Sequence, residues 1–202
     1  MKLISFYTKD TIYEKEVQDL RCSCEALSVD HYIEERKDLG TWEKNCAQKP
    51  LFIYECLKKF KRPLLWVDAD GIVLKKPSID LKLCDFGLYF NNFRTRHARS
   101  ATIYIRPTES AKQFLLLWYE TLQKKSHLHD QPVMIDLLRK EKIKVAKLPI
   151  EYMQIFDRDK VPLEKTVILH FQASRTAKMA PIFWQNLTGR ELKAMRIGVS
   201  QF

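Results

Sequence analysis

The segment Arg62 to Pro77 restricts the fold of this chain more than any other stretch. Leu64 to Val67 is a short, uninterrupted apolar run bounded by Pro63, the pattern of a strand buried on both faces. It ends in Asp68 and Asp70 with only Ala69 between them, and Gly71 leads into a second apolar run, Ile72 to Leu74. In an extended chain alternate side chains point the same way, so both carboxylates are expected to leave the strand end on one side. Two adjacent carboxylates repel unless a cation lies between them. The pattern asks for a divalent metal, and a metal held this way asks for a phosphate ligand.

The flanking chain gives that strand its place. Residues 2–8 read as a strand, residues 13–27 as a helix with Val17, Leu20, Cys24 and Leu27 at helical spacing, and residues 31–35 as a second strand. The opening residues have neither the length nor the cleavage site of a signal peptide. Residues 42–60 read as helical with a break at Pro50, which suits the first position of a new helix. The order is then β-α-β-α-β, which predicts an α/β fold: a mostly parallel, Rossmann-like central sheet flanked by helices. Further on, strands are expected at 86–90, 101–105, 144–148 and 166–171. A basic loop, Asn91 to Arg99, separates the first two. One helix is expected from a Thr108 or Ser110 cap to about Gln123. Another runs to about Lys140, with Asp130 as its N-cap and Pro132 in its first turn.

Composition narrows the function classes. The 202 residues suffice for one domain with a full core, taken as 1–202 with a basic tail or helix at 176–202. Hydrophobic residues at 46% and charged residues at 30% exclude a disordered chain, and no apolar run approaches the ~18 residues of a membrane span. The five cysteines (Cys22, Cys24, Cys46, Cys56 and Cys84) match no zinc spacing and read as reduced thiols of a cytoplasmic protein. The net charge of +10 favours an anionic partner: nucleic acid, anionic lipid or a nucleoside diphosphate. No nucleic-acid motif accompanies it, so none is expected as a partner. The tail sets Lys178, Arg190, Lys193 and Arg196 against Glu191 and adds Phe183, Trp184 and Phe202. It suits a packed terminal helix and equally a contact with an acceptor or a peripheral membrane surface.

Ligands of open α/β sheets bind at the carboxyl ends of the strands. Tyr7-Thr8, Asp68-Ala69-Asp70 and His170 are the candidate strand ends. Asp68, Asp70 and His170 make a candidate metal site, in which the imidazole shifts the preference from Mg²⁺ towards Mn²⁺. Such an ion would neutralise a diphosphate and stabilise it as a leaving group. By spacing alone, His170 also fits a core histidine, Asp130 a helix cap, Tyr13 a hydrophobic staple and Lys49 a solvated lysine.

Four blocks, in order and spacing, resemble the GT-A fold glycosyltransferases, and within them the glycogenin and lipooligosaccharide galactosyltransferase family. Phe6 to Tyr13 resembles the first strand and the Asp-x-x-Tyr that hold the nucleotide base. Trp66-Val67-Asp68-Ala69-Asp70 resembles the Asp-x-Asp strand. Asp130-Gln131 resembles the pair at a helix start beside the sugar, and Ile168-Leu169-His170-Phe171 the strand whose histidine completes the metal site. The resemblance implies transfer of a hexose from a nucleotide-diphosphate sugar, UDP-linked, to an acceptor hydroxyl of a saccharide, lipid-linked or protein acceptor. Tyr7, Thr8, Tyr13, Lys49, Asp68, Ala69 and Asp70 would bind the nucleotide, with Asp68 shared between ribose and metal and Asp70 the firmer metal ligand. Asp130 and Gln131 would orient the sugar. Two departures stand out. The family's Asn-Ser-Gly turn keeps only its serine, at Ser100, and its glycine and diphosphate lysine after the histidine are Ala173 and Thr176. Arg175 or Lys178 is then expected on the diphosphate.

Two other classes compete. Asp68-Ala69-Asp70-Gly71 also opens like the signature of haloacid-dehalogenase-type phosphatases, where Asp68 would be a nucleophile. That motif, however, normally follows the first strand, is followed by threonine where this chain has Ile72, and needs a later acidic pair, for which only Asp157 and Asp159 come near. The other reading is a basic nucleic-acid-binding module.

Overall fold

The computed structural model describes residues 1–173, so Arg175, Lys178 and the tail 176–202 lie outside the described residues. Nine strands are present among those described: β1 (Lys2–Thr8), β2 (His31–Arg36), β3 (Leu64–Val67), β4 (Gly71–Val73), β5 (Phe86–Asn92), β6 (His97–Ile105), β7 (Val145–Lys147), β8 (Gln154–Ile155) and β9 (Ile168–His170). The helices are α1 (Ile12–Ala26), α2 (Trp42–Cys46), α3 (Lys49–Phe60), α4 (Glu109–Lys124) and α5 (Asp130–Lys140). Six strands form the main sheet in the order β2-β1-β3-β6-β5-β7, and β4-β9-β8 form a small second sheet. Only β6 runs against its neighbours in the main sheet; β1, β2, β3, β5 and β7 point the same way.

Strand alternation sorts the core into two sides. Ile4, Phe6, Leu64, Trp66, Ile103 and Ile105 face one cluster, completed by α3, α4 and α5 through residues such as Phe52, Leu57, Leu115, Trp118 and Leu138. Leu3, Leu65, Val67 and Tyr104 face the other, completed by Leu20 and Cys24 of α1 and by Val73 and Ile168 of the second sheet. Complete burial of each such side chain stabilises the fold by about 1.5–3 kcal/mol. The second sheet thus lies on the same face as α1, against the carboxyl end of β3. Among the described residues no helix is long and apolar enough to cross a membrane.

Three local expectations change. The chain does not stay extended through Asp68 and Asp70: β3 ends at Val67 and a turn closes with the Gly71 amide donating to the Asp68 carbonyl at 2.9 Å. The turn carries the chain out of the main sheet into β4. Strand β6 begins at His97, not Ala101, because Ala98 is buried and pairs with Phe90; most of the supposed basic loop is a hairpin. His129, not Asp130, holds the N-cap position of α5, and Asp130 is its first residue. Its carboxylate is drawn away from the helix amides by a buried lysine. By contrast, Thr108 caps α4 as expected, its hydroxyl accepting from the Ala111 amide.

Candidate active site

The carboxyl ends of β1 and β3 open into a cavity of about 320 Å³. Tyr7, Thr8, Tyr13, Lys49, Asp68, Ala69, Asp70, Asp130 and Gln131 all line it. Three of the four blocks of the sequence are therefore assembled around one space, while Ile168–Phe171 lies off its wall with His170 fully buried. Thr8 is buried at the end of β1, its hydroxyl 2.9 Å from that of Thr11, which caps α1. The Tyr7 hydroxyl donates to Glu35 at 3.1 Å. Tyr13 accepts a hydrogen bond from Trp42 Nε1 at 2.9 Å, and burial, with the nearby Asp70 carboxylate, raises its pKa well above the ordinary phenol value.

Lys49 organises the middle of the site. It begins α3 and is only 5% exposed. Its ammonium lies 2.6 Å from Asp130 Oδ2 and 2.9 Å from Asp68 Oδ1, and donates to the Ser100 carbonyl at 3.3 Å. Burial alone would lower its pKa, but the carboxylates of Asp130 and Asp68 outweigh burial and hold it above the usual lysine value. Burial pushes the Asp68 carboxyl up to about 6; Lys49 opposes the rise and Asp70 and Asp130 add to it. Asp68 Oδ1 also accepts from Trp66 Nε1 at 2.8 Å. The phosphatase reading also lacks its expected place in the fold, since Asp68 follows the third strand and not the first. Asp159, half of the acidic pair that reading called for, is instead bound by Arg99.

Asp70 is held from the other side. Its Oδ2 accepts from the Ala173 amide at 2.7 Å, and its carbonyl accepts from the Phe171 amide at 3.1 Å. Gln172 takes a left-handed conformation, φ 57°, to bring Ala173 round to it. His170 is fully buried on β9, opposite Gly71. Its Nε2 lies 2.7 Å from the Thr102 hydroxyl, while its Nδ1 has no hydrogen-bond partner and sits 3.8 Å from Asp70 Oδ1. Thr102 reaches His170 because it shares the sheet face of Tyr104, the side on which the second sheet packs.

Among the described residues no three His, Cys, Asp or Glu side chains already form a metal-binding group. The Asp70–His170 pair nevertheless fits a divalent ion. A buried imidazole nitrogen without a partner, beyond hydrogen-bonding distance from a carboxylate oxygen, is the donor set such an ion completes. Asp68 is less free, with one oxygen engaged by Lys49 and Trp66.

Gln131 is fixed by Ser100, whose amide donates to its Oε1 at 3.1 Å. The serine that survives from the family's turn thus orients the glutamine. Arg99 is tied to Asp159 by two contacts, one of 3.0 Å, and donates to the Asn91 side chain at 3.0 Å and to the Met153 carbonyl at 3.3 Å. It acts as a strut between β6 and the second sheet. Sequence reasoning did not pick out Trp42 and Arg158 on the cavity wall, and neither carried a signal; His97 belongs to the basic loop it did mark, and His129 adjoins Asp130-Gln131. Arg175 and Lys178 lie outside the described residues.

Residues 60–180 match the model of a protein family described as nucleotide-diphospho-sugar transferase. Among solved structures, the chain is similar to a glycosyltransferase involved in the glycosylation of the major capsid of the virus PBCV-1, with a TM-score of 0.69 at 15% identity over 88% of this chain and 95% of that one. It is also similar to the apo-form glycosyltransferase GlyE of Streptococcus pneumoniae TIGR4, with a TM-score of 0.54 at 14% identity over 84% of this chain and 54% of that one. Likeness at such identities is a likeness of fold. No curated protein sequence matches the chain.

Proposed function

The chain belongs to the nucleotide-diphospho-sugar transferase family as a GT-A type glycosyltransferase, and from that premise we propose that it moves a hexose from a UDP-linked donor to an acceptor hydroxyl with the help of a divalent cation, preferentially Mn²⁺. The observation that carries this reading is the single cavity in which Tyr7, Thr8 and Tyr13, the Asp68–Asp70 turn, and Asp130-Gln131 meet. Tyr7, Thr8 and Tyr13 line the side that takes the nucleoside, and Asp68 the middle, where the ribose passes. Asp130 and Gln131, held by Lys49 and Ser100, present fixed polar groups to the sugar. Asp70 and His170 would hold the cation, and Asp68 would share it. When bound, the cation supplies Lewis acidity that stabilises the departing diphosphate.

The acceptor reaches the sugar from the side of the β5–β6 hairpin, where Asn91, His97 and Arg99 line the cavity. Whether it is a free saccharide, a lipid-linked one or a protein is a matter of chemistry outside that wall. The basic tail offers a peripheral membrane contact, in keeping with a cytoplasmic enzyme that works on lipid-linked acceptors.

The test is thermal stability on titration with UDP, with and without Mn²⁺. Stabilisation that requires Mn²⁺ and vanishes in Asp70→Ala supports the reading. Stabilisation indifferent to metal, or none, refutes the cation-dependent UDP donor. Hydrolysis of a panel of nucleotide sugars without acceptor then identifies the donor.

A further inference from the structure

Among the described residues, the cavity wall carries one basic side chain outside the expected set. Asp68, Asp70 and Asp130 bring negative charge to the space where a diphosphate has to lie. Of the lysines and arginines among the described residues that line it, Lys49 is engaged by Asp130 and Asp68, and Arg99 by Asp159. Arg158 is different. It lines the cavity and is exposed, and its guanidinium makes no hydrogen bond or ion pair among the described residues. Asp159, next to it in sequence, is held by Arg99.

The place of Arg158 in the fold follows from the pairing of β8 and β9. The two strands are parallel, with Ile155 level with His170. The turn that carries Arg158 therefore leaves β8 at the same end at which β9 delivers His170. That turn is rigid. The Arg158 and Asp159 amides donate to the Ile155 carbonyl at 3.1 and 3.0 Å, the Ile155 amide donates to Asp159 Oδ2 at 2.8 Å, and the Phe156 amide donates to the His170 carbonyl at 3.1 Å. A guanidinium with no partner among the described residues, on a hydrogen-bonded turn beside the Asp70–His170 pair, is free to meet an anion in the cavity.

Resting on the transferase reading above, we propose that Arg158 binds the diphosphate of the nucleotide donor. The anion it meets comes from the donor rather than from a phosphorylated acceptor, because its turn stands at the His170 end of the second sheet.

Calorimetric titration of the full chain with Mn²⁺ present tests this. The ligands are UDP, uridine and glucose 1-phosphate. In Arg158→Ala, UDP binding is expected to weaken about tenfold or more, while uridine binding stays as in the parent chain. Arg158→Lys is expected to recover part of the loss, and Lys82→Ala, an equal change of net charge at a side chain 81% exposed, to cause none. Unchanged UDP binding in Arg158→Ala overturns the proposal, as does an equal loss for uridine, which would mark a role in pocket structure. A loss confined to glucose 1-phosphate overturns the donor assignment and moves the anion to the acceptor side. If the parent chain binds no UDP, the UDP-donor reading falls and this inference with it; if it binds UDP and Arg158→Ala does so equally, only this inference falls.

Discussion

Lys49 Nζ lies 2.6 Å from Asp130 Oδ2, with both side chains almost wholly buried. The start of α3 is thereby fastened to the start of α5 across the floor of the site. The Asp130 carbonyl is fastened in turn, accepting from Trp118 Nε1 at 3.0 Å. Lys49→Met would leave Asp130 and Asp68 without their shared cation. Removing one partner of a buried pair costs about 3–5 kcal/mol. Urea unfolding of Lys49→Met is expected to show a loss of that order, and Lys49→Met/Asp130→Asn a smaller loss than the single changes sum to.

Thr102 should matter through His170. Its hydroxyl is the partner of His170 Nε2, and so leaves Nδ1 as the nitrogen beside Asp70. Outer partners of ligating histidines are worth about 10–100-fold in metal affinity. Mn²⁺ titration by calorimetry is expected to show a loss in that range for Thr102→Val. Thr102→Ser, which keeps the hydroxyl, is expected to bind Mn²⁺ almost as the parent does. Equal affinities for all three proteins would rule out the tether.

Gly71 is required by close approach. A Cβ there would meet Val67 Cγ1 at 2.7 Å, the Asp68 carbonyl at 3.1 Å and His170 Cε1 at 3.2 Å. Gly71→Ala must shift Val67 or the turn and crowds the imidazole, and overpacking of this kind costs about 1–3 kcal/mol. The unfolding temperature is expected to fall accordingly, with Mn²⁺ binding weakened because the added methyl presses on His170.

Asp85 gives the fold an acid-sensitive joint away from the site. Burial would raise its pKa, but hydrogen bonds from the Ser110 and Thr108 hydroxyls, both 2.6 Å from Oδ1, and from the Lys144 amide at 3.0 Å outweigh burial and hold it below the ordinary carboxylate value. A depressed folded pKa contributes stability that is present above the unfolded value of about 3.9 and is lost as pH falls through the folded one. Asp85→Asn is expected to be less stable than the parent at pH 7 by about 1–3 kcal/mol. The difference should shrink below about pH 4 as the parent's carboxylate takes up its proton. A constant difference across that range would show that the carboxylate charge is irrelevant.

Much of the fold was legible because its signals are local. The apolar runs of β1, β3, β5 and β9 and the periodic faces of α1, α3 and α4 are patterns within a few turns of chain, and Thr11 and Thr108 cap where hydroxyls ahead of apolar periodicity should. The misplacements have equally local causes. Asp130 left its cap role because a buried ammonium attracts a carboxylate more strongly than helix amides do. The hairpin closed by the Asn92–His97 pair was hidden by Arg94, Arg96 and Arg99, whose charge reads as loop although the backbone on either side of the turn pairs.

By itself the sequence determined the β-α-β-α-β order, the strand that delivers Asp68 and Asp70, and the residue types available for nucleotide, sugar and cation. These follow from side-chain periodicity and from carboxylates placed where a strand runs out. Only the tertiary structure decided which charges are already satisfied. Lys49 with Asp130, Thr102 with His170, and Arg99 with Asp159 are each joined across 60 or more residues of chain. The strength of such contacts depends on distance and exclusion of water, which no local pattern encodes. That is why Lys49 is a structural brace as well as a cavity residue, and why, among the described residues, Arg158 is the cavity arginine left without a side-chain partner.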